Sequence, residues 1–172
     1  MALRDTILPE FDNEMATTRR TLERVPEDKP DWKPHEKSMT MSRLAGHLAE
    51  LPSFVATILR DDSFNMRPAS GAGSGRKPLF MSSRKQLLED FDRNVAELRA
   101  SLANASDETL TKTWTLFAGE KTIFSAPRIG VIRSFCLNHV IHHRAQMGVY
   151  LRMNDVPVPS VYGPSADENP FA

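Results

Sequence analysis

Cysteine is almost absent from this sequence, since Cys136 is the only one in 172 residues. A single cysteine cannot form an intramolecular disulfide, so the chain is compatible with a reducing cytoplasm. An excess of one charge is also lacking, because 22 Lys and Arg residues balance 22 Asp and Glu residues. Without a net positive field, binding to nucleic acid or to an anionic membrane surface is not favoured.

Long hydrophobic runs are missing too. No apolar stretch approaches the roughly 20 residues that a helix needs to cross a bilayer. The N-terminal segment already carries Asp5, Glu10 and Asp12, which come too early for a secretory signal peptide. We therefore expect a soluble, cytoplasmic protein with no membrane partner.

The composition that remains is that of an ordinary globular domain, with 40% hydrophobic and 26% charged residues. This length fits one domain better than two, so a single domain over residues 1–172 is predicted. Residues 155–172 contain four prolines. They are predicted to form an extended, non-helical tail.

Apolar residues recur at spacings of three and four, the period of an amphipathic helix, in four segments. These segments are residues 3–24, 38–59, 82–103 and 129–150. Pro52 lies inside the second segment and cannot donate a hydrogen bond to the carbonyl of Leu48. A kink is therefore predicted at this point of the second helix.

Two connecting segments complete the predicted topology. Residues 61–78 are rich in Gly, Ser and Pro, which indicates a long crossover, and we interpret its residues 71–75 as slack rather than as a lid. Residues 112–124 form two short β-branched and aromatic runs around Gly119, which indicates a small hairpin. The predicted fold class is all-α: a four-helix bundle with a long crossover between helices 2 and 3 and a small hairpin before helix 4.

Three histidines are predicted to face the interior of this bundle at similar depth. His139 and His143 are four residues apart, so they project from the same face of the fourth helix. His47 lies mid-helix beside Leu44 and Leu48 on the inner stripe of the second helix. Imidazoles placed in this way can reach one metal ion. The alternative, a set of hydrogen-bonded core histidines, stays open.

Two common types of helical metal site are excluded by the residues present. A zincin needs a glutamate directly after the first histidine of HExxH, and Val140 occupies that position. Ferritin-like di-iron sites need a glutamate three residues before a histidine, and none of the five histidines has one. What remains is a set of three imidazoles with no carboxylate or thiolate ligand.

Three segments resemble the DinB/YfiT-like superfamily of four-helix-bundle metalloenzymes: LAGHLAE around His47, NHVIHHRAQ around His139 and His143, and the tail PVPSVYGPSADE. In that family the second-helix histidine and the first and last histidines of HxxxH bind a divalent metal. The resemblance implies the same roles for these three residues here. Ala145 stands where the family often has glycine, which leaves the ligands untouched but narrows the space beside them. The resemblance also implies a homodimer.

Three neutral imidazoles leave coordination positions open, as in catalytic rather than structural sites, and they suit zinc or nickel. Since the family includes thiol-dependent S-transferases, the resemblance implies activation of a low-molecular-weight thiol for attack on a small electrophile. Two alternatives stay open. One is a metal-dependent hydrolase with Glu50 as its base, and the other is a non-catalytic, stress-associated bundle with a structural metal.

Three residues outside the histidine set are weaker candidates. Glu50 lies one turn after His47 and is expected on a solvated helix face, with orientation of an imidazole or a role as base as the alternatives. His35, in the proline-rich connection, is a candidate for a substrate pocket at the mouth of the bundle. Tyr162, in the tail, either caps that pocket or lies flat on the bundle.

Four neighbours of the histidine pair are expected to play no part in the site. His142 points away from both and is predicted to lie on the surface. Arg144 and Gln146 are expected to contact neighbouring helices or a dimer partner. Cys136 is expected to pack in the core rather than to bind metal.

Overall fold

The computed structural model describes residues 1–68 and 77–171, and most of its elements are helices. The helices are α1 (Leu3–Leu22), α2 (Met41–Glu50), α3 (Ser53–Arg60), α4 (Arg84–Ala103), α5 (Asp107–Thr111), α6 (Arg128–Val131) and α7 (Asn138–Met153). A π-helical segment, Ile132–Leu137, joins α6 to α7 and is called the π segment below. The strands are β1 (Ser63–Asn65), β2 (Thr113–Ala118) and β3 (Lys121–Pro127). Within the two described ranges, no helix is both long and apolar enough to cross a lipid bilayer.

The long helices pack against one another through their apolar faces. α1 packs against α4 and α7, α2 packs against the same two helices, and α3 packs against α4. Side-chain caps begin two of them: Thr40 Oγ1 accepts from the Arg43 N–H, and Ser83 Oγ accepts from the Gln86 N–H. The prediction of a mostly helical chain is confirmed. The fully buried large side chains include Phe11, Leu44, Phe91 and Leu98.

The second predicted helix is divided in two at Pro52, where the sequence predicts a kink. The N–H of Leu51 still donates to the carbonyl of His47 at 3.1 Å, and α2 ends there. Pro52 has no N–H and cannot continue the α2 ladder. As α3 begins, the N–H of Phe54 donates to the carbonyl of Leu51 at 3.1 Å. The break leaves His47 in the last turn of α2.

A three-stranded sheet of order β1-β2-β3 corrects the prediction of an all-α fold. The hairpin is predicted correctly: β2 and β3 pair antiparallel, and Gly119 in the turn has a φ of +66°. β1 lies in the segment predicted as a long crossover and pairs in parallel with β2, with Phe64 opposite Leu116. Asn65 holds this strand by bonding both the N–H and the carbonyl of Gly119. Residues 71–75 lie outside the described residues.

The fourth predicted helical region consists of α6, the π segment and α7 in direct succession. A π turn closes its hydrogen bonds one residue further along the chain than an α turn, so it inserts an extra residue into the helix. The insertion lies immediately before Asn138. It therefore sets the rotation of α7, and with it the direction of His139 and His143.

The tail after Asn154 contains no helix or strand up to residue 171, as the sequence predicts, and it docks on α1 and α7. The carbonyl of Ser160 accepts from Arg20 Nη2 at 2.8 Å. Two ion pairs hold its far end, Arg24 with Glu168 and Arg152 with Asp167.

Candidate metal centre

Three imidazoles from two packed helices meet at one point. α2 carries His47, and α7 carries His139 and His143. Their ring centroids are 4.6 to 5.2 Å apart, and one ring nitrogen of each lies within 4.8 Å of the other two. His139 Nε2 and His143 Nε2 are 2.9 Å apart. The structure thus brings together the three histidines that the sequence indicates.

Two of the rings are held from outside by side chains of their own helix. His47 Nδ1 donates to Glu50 Oε1 at 2.7 Å. His143 Nδ1 donates to Gln146 Oε1, also at 2.7 Å. Histidines that bind metals characteristically donate their second ring N–H to an oxygen in this way, because the hydrogen bond fixes the tautomer and the ring orientation.

These hydrogen bonds determine where the imidazole protons lie. Carboxylate and amide oxygens only accept, so Nδ1 carries the proton in His47 and His143 and Nε2 keeps its lone pair. The Nε2 of His143 therefore presents its lone pair to His139 Nε2, 2.9 Å away. Either a proton on His139 Nε2 or a metal cation between the two nitrogens satisfies this contact. The donor set therefore fits a divalent metal ion.

Burial keeps the α7 imidazoles neutral at pH 7. Burial, more than the neighbouring His47 and His139, lowers the pKa of His143 to about 4. Burial likewise lowers the pKa of His139 below its ordinary value, with a smaller contribution from His47. A histidine must be unprotonated to bind a metal, so both residues are in the binding form at neutral pH.

Glu50 is a partly buried carboxylate, and the expectation of a solvated helix face is wrong here. Its side chain is 20% exposed. Oε1 contacts His47 Nδ1 and accepts from Arg43 Nη2 at 2.6 Å, while Oε2 accepts from the Leu79 N–H at 2.8 Å. Burial acts to raise the pKa of Glu50, but the hydrogen bonds with His47, Leu79 and Arg43 together bring it below the ordinary value. Glu50 is thus an ionised group that orients the His47 ring.

The segment of residues 77–81 crosses α2 at close range and completes this arrangement. The carbonyl of Leu79 accepts from Arg43 Nη1 at 3.0 Å. Gly46 makes the crossing possible, because a Cβ at that position would overlap the carbonyl oxygen of Leu79. The glycine next to the candidate ligand therefore allows the Leu79 N–H to reach Glu50.

Two cavities share His47 and Phe54 in their walls. The polar cavity has a volume of about 500 Å³, and its charged wall residues are Arg43, Glu50, Lys77, Asp90 and Arg93. The apolar cavity has a volume of about 260 Å³ and also reaches His139; its other wall residues are Leu51, Phe64, Met66, Trp114, Leu116 and Phe135.

The histidine cluster lies inside a region that matches a known family. A model of the DinB superfamily matches residues 10–147, a range that contains all three histidines. The chain belongs to the DinB superfamily. The resemblance carried by the sequence motifs is thereby confirmed. No curated protein matches this DinB-superfamily chain.

Two solved structures of DinB-like proteins share the fold of this DinB-superfamily member. One is from Bacillus subtilis, with a TM-score of 0.67 at 17% identity, and the match covers 91% of this chain and 96% of that one. The other is from Bacillus cereus, with a TM-score of 0.67 at 19% identity, and the match covers 90% of this chain and 95% of that one. At such identities the similarity establishes the fold alone.

Two of the weaker candidates lie apart from the histidine cluster. His35 is exposed, and its Nδ1 accepts from a backbone N–H two residues further on at 3.2 Å. Tyr162 donates its hydroxyl to Glu14 at 2.9 Å, contacts Arg144 at 2.9 Å and lines a third cavity of about 470 Å³ beside α7. Neither residue lines the polar or the apolar cavity.

Three of the four neighbours of the histidine pair lie where they are expected, although the His142 ring does contact the His143 ring, with centroids 4.8 Å apart. His142 is exposed, and Cys136 is buried, which raises the pKa of its thiol to about 12 and keeps it neutral. Arg144 ties α7 to α1 through a buried ion pair. Gln146 was expected to contact another helix or subunit, but it accepts the hydrogen bond that orients His143.

Proposed function

We propose that this protein is a metal-dependent enzyme built on a four-helix bundle, in which His47, His139 and His143 bind one divalent ion, zinc or nickel. The observation that carries the proposal is the convergence of three imidazoles, two of which donate their outward N–H to a side-chain oxygen. Within the described residues the cluster has no fourth ligand, so water or a substrate can complete the coordination. A divalent ion held there would lower the pKa of a bound water or thiol toward neutrality.

The polar cavity suits a low-molecular-weight thiol that carries a carboxylate. Its two guanidinium groups pair with its two carboxylates, Arg43 with Glu50 and Arg93 with Asp90. Lys77 supplies the one surplus positive charge of the wall, and this charge favours an anionic group on the ligand. Because His47 forms part of the same wall, a thiol bound here can place its sulfur near the imidazoles.

The proposed reaction is a thiol transfer that needs no oxidant or reductant. The thiol loses its proton, its sulfur forms a bond to a carbon of the electrophile, and the bond from that carbon to the leaving group breaks. With an epoxide, the leaving group is the ring oxygen, which takes up the proton. Since His47 lines both cavities, thiol and electrophile can approach the same point from different sides.

A metal-dependent hydrolase is the second candidate, because Glu50 is an ionised carboxylate in the wall of the polar cavity. Both of its oxygens already accept hydrogen bonds, from His47, Arg43 and Leu79. This arrangement supports orientation of His47 better than proton abstraction. If the protein is a hydrolase, its activity needs no added thiol and is abolished by Glu50→Gln.

Elemental analysis of untagged protein tests the metal site. The parent protein is expected to contain near-stoichiometric metal. The His47→Ala and His143→Ala variants are expected to lose it. His142→Ala is the matched control, because His142 is an exposed histidine on the same helix, and it should retain the metal. A parent protein without metal after reconstitution with zinc and nickel would contradict the proposal.

The thiol step is tested on the nickel-loaded protein. Small carboxylate-bearing thiols such as cysteine should produce a thiolate-to-metal absorption band and turnover with an epoxide. No band and no turnover across a panel of thiols and electrophiles would rule out the transferase. A bound metal without activity, whose removal only lowers the melting temperature, would instead indicate a structural role.

A further inference from the structure

We propose that Phe54 separates a thiol site from an electrophile site and thereby restricts the electrophile to small, uncharged molecules. This inference rests on the proposed function and deepens it, because it names the class of electrophile and the residue that selects it. The thiol occupies the polar cavity and the electrophile occupies the apolar cavity. Phe54 determines specificity in this arrangement and takes no part in the chemistry.

The boundary between the two cavities consists of two side chains. Among the described residues that line the polar and the apolar cavity, His47 and Phe54 are the two that line both. They are seven positions apart, about two helical turns, and both reach the boundary although α2 ends at Glu50 and α3 begins at Ser53. Since His47 is a candidate metal ligand, Phe54 is the part of the boundary that is not committed to the metal.

Two other aromatic rings hold the Phe54 side chain from the apolar side. The rings of Phe64 in β1 and Phe135 in the π segment have centroids 6.2 and 6.3 Å from that of Phe54. These distances lie in the range of favourable edge-to-face pairs. Both rings line the apolar cavity and not the polar one. Phe54 cannot swing aside without losing these contacts, so the boundary is a fixed feature of the fold.

The other walls of the apolar cavity argue for an uncharged ligand next to the histidines. His47 and His139 form one side. Among the described residues, no Asp, Glu, Lys or Arg lines this cavity, so a charged ligand would lose its hydration without compensation. The volume of about 260 Å³ lies just below the range of ~300–1,000 Å³ that is usual for small-molecule sites. The ligand must therefore be small as well as uncharged.

Ligand binding tests this assignment with two unreactive molecules that carry the same ring. Toluene is uncharged, whereas benzenesulfonate carries a negative charge directly on the ring. Each is titrated, without added thiol, into the whole chain as purified. Nuclear Overhauser effects (NOEs) to the Leu116 methyl groups report occupancy, because Leu116 is buried and lines the apolar cavity but not the polar one. Toluene is expected to give these NOEs, and benzenesulfonate at the same concentration is expected to give none.

Phe54→Ala removes the ring between the cavities, so benzenesulfonate should enter the apolar cavity with its charge toward Lys77. Its NOEs to Leu116 should appear. Its affinity measured at Leu116 should rise about 10-fold or more, since the anion no longer loses its hydration against apolar walls.

Phe64→Ala is the matched control. The Phe64 ring also packs against Phe54, but it lines the apolar cavity and not the polar one. Its removal therefore enlarges the apolar cavity without joining it to the polar cavity, and Phe64→Ala should continue to exclude benzenesulfonate while it binds toluene.

Three results would overturn the proposal: benzenesulfonate bound at Leu116 in the parent, its exclusion from a Phe54→Ala variant that still binds toluene, or its equal admission by Phe64→Ala. Absence of toluene from the apolar cavity of the parent would also overturn it, and that measurement stands even if Phe54→Ala fails to fold. The titrations require no turnover, and the metal content is measured separately. Failure here is therefore distinct from failure of the metal site or of the thiol reaction.

Discussion

Two of the three imidazole rings in the histidine cluster are oriented by a side chain. In both cases that side chain lies three residues further along the same helix. Glu50 follows His47 by three residues, and Gln146 follows His143 by three. The i, i+3 spacing is visible in the sequence and places the two side chains on one helix face. It does not show whether the second residue bonds to the histidine or turns to solvent. The histidine positions could therefore be predicted, whereas their hydrogen-bond partners could not.

Glu50→Gln should weaken metal binding about 10- to 100-fold, the usual loss when the partner of a metal-bound histidine is altered. The substitution removes the charge that holds the His47 Nδ1 proton. The measurement is competition with a chromophoric chelator for zinc. Glu97→Gln, on an exposed position of α4, should leave the affinity unchanged. Equal zinc affinity in Glu50→Gln and the parent would show that Glu50 does not orient the ligand.

Gly46→Ala should destabilise the protein by about 1–3 kcal/mol, the usual cost of forcing an extra methyl group into a packed contact. The overlapping atom is a backbone oxygen, that of Leu79, so relief requires the crossing segment to move. Urea unfolding measures the change. Gly130→Ala is the matched control, since nothing lies within 4 Å of a Cβ there, and it should be neutral or stabilising by up to ~1 kcal/mol. Equal effects of the two substitutions would contradict the close crossing.

At the scale of elements, the segments that could be predicted are those with a local signal. α1 and α4 carry their apolar residues at helical spacing. For the β2–β3 hairpin, the local signal is Gly119 between two β-branched and aromatic runs. β1 has only three residues, and its partner lies about 50 positions further along the chain, so no local pattern reports the pairing. The π segment could not be predicted either, because the spacing of its apolar residues does not differ from that of an α-helix.

The docked tail should loosen on acidification. The hydrogen bond with Arg152 is the main reason why the pKa of Asp167 lies below its ordinary value of 3.8. The Ser160 N–H is the main reason why the pKa of Glu168 lies below its ordinary value of 4.5. Because these pKa values are lower in the folded state, the carboxylates contribute their full stabilisation above about pH 4.5 and lose it as the pH falls further.

Amide resonances of the tail report this transition, since the Ser160 N–H donates to Glu168 Oε2 and the Val158 N–H donates to Asp167 Oδ2, each at 2.8 Å. Their chemical shifts should titrate with midpoints below 4.5 and 3.8 respectively. Arg152→Gln should raise the Val158 midpoint and leave that of Ser160 in place. Midpoints at or above the ordinary values would contradict the docked geometry.

At the scale of the whole molecule, the histidine cluster links α2 to α7, two helices that are far apart in the chain. An ion bound to both would resist their separation. The polar cavity lies between α2 and α4. The apolar cavity lies between α2, the sheet and the π segment. The predictions of a homodimer and of a single domain over residues 1–172 stay predictions, which sedimentation analysis and limited proteolysis can test.

Chelation should therefore lower the melting temperature of the metal-loaded protein. With free metal at ~100 times the dissociation constant, binding to the folded state alone contributes about 2.7 kcal/mol, or roughly 5–10 °C for a chain of this size. Calorimetry with and without a chelator measures the shift, and His47→Ala should show none. An unchanged melting temperature in protein that elemental analysis shows to be loaded would contradict a site that spans two helices.

The two cavities that meet at His47 also bear on the order of events during turnover. If thiol and electrophile enter through separate openings, neither blocks the other, and both can be bound before the sulfur–carbon bond forms. Initial rates measured at several fixed thiol concentrations should then give reciprocal plots that intersect. Parallel lines would mean that the first product leaves before the second substrate arrives, an order for which two independent entrances offer no advantage.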